Sequence, residues 1–163
     1  MSPVNRPRFS AVALVAAMML SGCTTAPAPR EASAPGAGTK FVIGPAYFRD
    51  GDSIRVDAVE CSSPKFAAGD RVVVRGWYDL NSEDGAVLGM FVTPAGAFIK
   101  SQLTHRQVMK IPRGVGPFEF EMEVPASGAL YVSFFPSHGG QAFGRVYFGT
   151  KSQMDWASGI NLW

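Results

Sequence analysis

Phe118-Glu119-Phe120-Glu121-Met122-Glu123-Val124 alternates apolar and acidic side chains without a break. Successive side chains of an extended chain point to opposite faces, so this period of two describes a strand with one face on a core and the other in water. The pattern recurs on either side of it. Ile54, Val56 and Ala58 alternate with Ser53, Arg55 and Asp57, and Val72, Val74, Gly76, Tyr78 and Leu80 alternate with Arg71, Val73, Arg75, Trp77 and Asp79. Beyond residue 40 no stretch keeps helical spacing, and Gly, Pro, Asn and Ser interrupt the chain about every ten residues. Short strands separated by frequent turns predict an all-β domain over residues 40–163, an antiparallel two-sheet β-sandwich.

Turn chemistry suggests pairings. Asn81-Ser82-Glu83-Asp84-Gly85 reads as a hairpin joining 71–80 to 86–93, with Tyr78 beside Leu88 and Gly76 beside Met90. Each strand glycine then sits under a large side chain. A second turn, Pro125 to Ala129, joins 117–124 to 130–135, setting Phe120 against Phe134. A third strand, 143–148, continues through the loop Pro136-Ser137-His138-Gly139-Gly140-Gln141-Ala142.

The N-terminal stretch has a different character. Arg6 and Arg8 precede an unbroken apolar run, Ala11 to Leu20, with no acidic residue among them. Ten residues are too few to span a bilayer, which takes about twenty, but suit the core of a signal peptide. Leu20-Ser21-Gly22-Cys23 closes the run and resembles the bacterial lipobox. The resemblance covers residues 1–23. It implies a cleaved signal peptide at 1–22, cleavage between Gly22 and Cys23, and a diacylglyceryl thioether with further fatty acylation on Cys23. Each buried CH₂ contributes about 0.8 kcal/mol, so two or three chains moor a protein durably. Thr24 stands where inner-membrane retention signals typically carry Asp, which resembles outer-membrane sorting. Residues 23–39, with Pro27, Pro29, Pro35, Gly36 and Gly38, read as a tether with nothing to bury.

The strand layout, including Gly69 to Tyr78 and the final Phe143-to-Phe148 strand, is similar to carbohydrate-binding jelly rolls and to immunoglobulin-type sandwiches. That likeness is one of pattern and implies a fold, with no binding residue carried over.

Composition narrows function. Fifteen Lys and Arg residues less Arg6 and Arg8 balance thirteen acids, so the mature chain has no formal net charge and no basic stripe for nucleic acid. Cys61 is left as a lone thiol once Cys23 is lipidated, and is read as a small buried hydrophobe. Glu119, Glu121 and Glu123 lie along a straight strand, whereas calcium needs oxygens converging from a loop. His105 and His138 lack partners at metal-ligand spacing. Ser137-His138 are consecutive and cannot act as a nucleophile–base pair, and Gly139-Gly140 lacks the lysine and helix of a phosphate cradle. No cofactor, metal or catalytic set is expected.

The remaining candidates are aromatic. Tyr131, Phe135, Phe143 and Tyr147 are placed on a nominally wet face, where they form either a ligand platform or the floor for a covering segment. The tail, with Trp156, Ile160, Leu162 and Trp163, is the cover at hand. Trp77, near Arg71 and Arg75, poses the same choice, and His138 tips a loop that can touch a ligand. The expectation is a non-catalytic, membrane-anchored binding or scaffolding module, holding a glycan or an envelope protein partner. A structural lipoprotein with no small ligand is the alternative.

Overall fold

Residues 118–124 close a long antiparallel strand as their alternation requires: Phe118, Phe120, Met122 and Val124 are buried, Glu119 and Glu123 exposed. The structure, a computed structural model, describes residues 38–96 and 103–159. The signal segment 1–22, Cys23, the tether up to residue 37 and the tail residues Ile160, Leu162 and Trp163 lie outside the described residues.

Six strands and one helix follow in order: β1 (Val42–Tyr47), β2 (Ser53–Cys61), β3 (Arg71–Pro94), β4 (Val108–Glu123), β5 (Gly128–Pro136), β6 (Gly144–Gly149) and α1 (Lys151–Gly159). The fold is all-β apart from that helix, and every strand pairing is antiparallel. The strands make a single sheet in the order β1-β6-β5-β3-β2, with β4 also paired to β3.

β3 decides the architecture. The expected hairpin at 81–85 does not form; residues 71–94 run on as one strand. Its first half lies between β2 and the C-terminal half of β4, and its second half between the start of β4 and β5. The register slips between Leu80 and Gly85, opposite Gly114 and Pro112, so both strands bend together. The polar residues read as a turn are held by the β1–β2 loop instead. Buried Asp52 accepts hydrogen bonds from the Asn81 N–H (2.8 Å), the Ser82 N–H (2.9 Å) and the Ser82 hydroxyl (2.6 Å). Arg49 pairs with Glu83 at 2.6 Å and Arg113 with Asp84 at 2.8 Å. Polar groups inside a bend need such partners because water does not reach all of them.

The second expected hairpin is also corrected. Residues 117–123 pair with β3, and β5 pairs with the far half of β3 and with β6, so Phe120 is opposite Val74 and not Phe134. The end of β4 is fastened elsewhere: Val124 exchanges backbone hydrogen bonds with Gly69 and Asp70, both at 2.8 Å. The β5–β6 hairpin forms through the 136–143 loop, aligning Tyr131 with Tyr147. The idea that strand glycines lie under large side chains holds with different partners. Gly116 faces Tyr78, whose ring would stand 2.6–2.8 Å from an added Cβ; at Gly76 a Cβ would meet the Arg55 carbonyl at 1.9 Å.

The sheet curls until its edges approach. Thr39 donates its N–H to the Val59 carbonyl of β2 at 2.8 Å, and three residues on Val42 pairs with Gly149 of β6. Thr39, assigned to the tether by sequence, is therefore docked on the domain. Inner-face residues of both halves of β3, from Val72, Val74 and Leu80 to Leu88 and Met90, share one core with Phe120, Val132, Phe134 and Phe148.

Helix α1 departs from the expectation of no helix beyond residue 40. Its start is a capping box: the Gln153 N–H bonds Thr150 Oγ1 at 3.2 Å while Gln153 Oε1 accepts the Thr150 N–H at 2.9 Å. The Gln153 amide also donates to the Gly128 carbonyl at 2.7 Å, seating the helix on the sheet. Among the described residues no helix is long and apolar enough to cross a membrane.

Candidate functional site

The aromatic face predicted around β5 and β6 is partly closed. Tyr147 is fully buried beneath α1, packed with Met154 and Ala157, and its hydroxyl is 3.0 Å from Thr93 Oγ1. Tyr131 is half-buried, 5.1 Å from Tyr147 between ring centroids, and burial above all raises its hydroxyl pKa. Phe135 is half-buried against Phe91. Phe143 was expected on this face and is instead in the core, its ring stacked on Phe134 at 5.6 Å. β6 begins only at Gly144, so the alternation that places Arg145 and Tyr147 outward does not reach back to Phe143. The cover comes from Met154 and Ala157 of α1 and not from Trp156, the one described residue of the expected cover, which remains 37 % exposed. His138 sits in an exposed turn, with Gly139 and Gly140 at positive φ, and does not line the groove described next.

Trp77 stands apart. It projects from the outer face of β3, 44 % exposed, between Arg55 on β2 and Pro117 on β4. One row along, a bulge in β2 between Val56 and Ala58 brings Asp57 beside Arg75 and Gly76. The loop before β4 supplies a wall. Buried Gln107 closes it, accepting the Thr104 N–H at 2.9 Å and reaching Met122 Sδ at 3.8 Å. The Arg106 carbonyl accepts the Glu121 N–H at 3.0 Å, and its guanidinium bonds the Glu121 carboxylate at 2.7 Å. Between wall and sheet lies an open groove of about 560 Å³, with Trp77, Met109 and Pro117 apolar and His105, Arg75 and Glu119 polar. That size is within the range of about 300–1,000 Å³ usual for small-ligand clefts.

The electrostatics around it are settled by pairing. Glu121 takes Arg71 on one oxygen and Arg106 on the other, each at 2.7 Å. Those bonds, Arg71's being the largest cause, hold its carboxyl below the usual carboxylate range. Arg75 bridges Glu60 and Glu119, and these bonds raise its pKa. Two members of the acidic stripe that sequence offered as a weak calcium candidate, Glu119 and Glu121, are thus tied to arginines, and among the described residues no three His, Cys, Asp or Glu converge as metal ligands. Cys61 is free and half-buried against the core, and burial pushes its thiol pKa up, away from the thiolate that nucleophilic chemistry needs.

No family model, curated protein or solved structure matches the chain. The site therefore has to be read from its own geometry. Sequence named Trp77 as a binding candidate and weighed His105 only as a metal ligand, and it did not point to Arg106 and Met109 beside them. Their signal is absent from any local pattern, because the groove is made by a loop folding over the end of a bent strand far along the chain.

Proposed function

We propose that the protein is a lipid-anchored lipoprotein of the bacterial envelope, in the outer membrane and facing the periplasm or the cell surface, whose β-domain is a non-catalytic binding module. The lipobox Leu20-Ser21-Gly22-Cys23 behind a basic and apolar leader supports the anchor. The observation that carries the binding role is Trp77, a large apolar side chain left 44 % exposed in a groove whose wall is fixed by hydrogen bonds. An exposed tryptophan on a preformed surface is a common contact point for ligands, because its ring buries much area at little entropic cost. The curled sheet is read as a two-layer sandwich of the jelly-roll or immunoglobulin-like kind, supported by the bend that brings both halves of β3 and β4 onto one core.

A purely structural envelope role is the second reading. It is favoured by β1, where Val42 and Ile43 are 44 % and 47 % exposed beside a single paired neighbour, β6. A photo-cross-linking amino acid placed at Met109, and separately at Val42, separates the two in native cells. Binding through the groove gives adducts from position 109 that disappear in Trp77→Ala. Adducts confined to position 42 support the scaffold.

A further inference from the structure

We propose that the occupant of the Trp77 groove is an uncharged glycan chain; this rests on the reading of the groove as a binding surface and deepens it. The first ground is the apolar lining. Trp77 and Met109, 44 % and 36 % exposed, line the groove together with Pro117. A pyranose ring carries C–H groups on its faces and hydroxyls on its rim, so it stacks on an indole while its edge stays free for hydrogen bonds.

The second ground is the fixed polar rim. Arg75 is locked between Glu60 and Glu119, and Arg106 on Glu121. A guanidinium has five N–H donors and a carboxylate about four lone-pair positions, so groups already paired keep capacity for a hydroxyl partner. Arg75, held by two carboxylates, has less side-chain freedom to lose on binding than an unpaired arginine. His105 adds a further exposed polar group on the wall.

The third ground is charge balance, and it selects among ligands. Each charge that lines the groove has an opposite partner: Asp57 with Arg55 at 2.7 Å, Arg75 with Glu119 at 2.5 Å, Arg106 with Glu121 at 2.7 Å. With these charges already neutralised, an anionic or a cationic ligand gains little net attraction in the groove, whereas a hydroxyl-rich neutral chain needs only the remaining hydrogen-bonding positions. Because the groove is open and not an enclosed cavity, it can admit the middle of a chain as well as its end.

The test is calorimetric titration of the full-length protein in a non-glycosidic detergent. Chitohexaose, cellohexaose and maltohexaose serve as neutral probes and hexagalacturonate as the anionic one. At least one neutral probe is expected to bind with a Kd below about 1 mM, unaffected by added salt, and to weaken about tenfold or more in Trp77→Ala. Trp77→Phe, which keeps an aromatic face, is expected to retain most of the affinity, and an unchanged melting temperature shows that Trp77→Ala is folded. Salt-sensitive binding of hexagalacturonate alone, or binding of no probe, overturns the glycan inference. If position 109 still cross-links to a protein in cells, the groove stands as a binding surface with a different occupant; if it does not, the broader reading falls as well.

Discussion

Asp52 is a buried carboxylate that accepts three hydrogen bonds at one bend, two of them from the backbone N–H groups of Asn81 and Ser82, where the β3–β4 register slips. Asp52→Ala leaves those donors unsatisfied and is expected to cost about 3 kcal/mol, read as a lower urea midpoint with an unchanged slope. Glu121 gives a pH effect of definite sign. Its carboxyl is held below the ordinary range, chiefly by Arg71, so its contribution is fully present above the unfolded-state value and disappears as pH falls through the folded one. Stability is expected to drop on acidification below about pH 4, and the drop to be shallower in Glu121→Gln, measured by urea unfolding at a series of pH values. At this scale the sequence was informative where a residue's neighbours are strand neighbours. The outward sense of Trp77, Glu119 and Glu123 follows from alternation alone; Phe143 escaped it because the strand starts one residue later.

Among the elements, β3 shows where local reading ends. Asn81-Ser82-Glu83-Asp84-Gly85 has every property of a tight turn, and in isolation would make one. Asp52, Arg49 and Arg113, from two other parts of the chain, instead hold it open as a bend in a continuous strand. Long-range hydrogen bonds of this kind leave no periodic trace. Helix α1 is the opposite case, since Thr150-Lys151-Ser152-Gln153 is a capping box legible in the sequence, with no long apolar stripe after it. Only Met154 and Ala157 of the helix are buried, a stripe too short to register as a period. Met154→Ala is expected to cost about 2 kcal/mol and to speed amide exchange across β6 and α1, with β2 and the first half of β3 unaffected.

For the molecule as a whole, the all-β class was written in the alternation, but the curl of the sheet was not. It depends on Thr39 reaching β2 just before β1 joins β6, and on residues 106 and 107 touching both Glu121 and Met90. The groove is a product of that curl, which is why Trp77 could be named in advance and its surroundings could not. The cellular placement proposed above is a separate matter, resting on the lipobox resemblance of residues 1–23. A lipid anchor would hold the groove within a tether's length of the membrane, in reach of envelope polymers, and without it the binding role proposed loses its setting. Mass spectrometry of the N-terminal peptide from protein isolated from its native cells tests this directly. The account predicts a chain beginning at Cys23 with thioether-linked diacylglyceryl and fatty acyl mass added; an unmodified peptide still carrying Met1, or one beginning past Cys23 with no lipid, would contradict it.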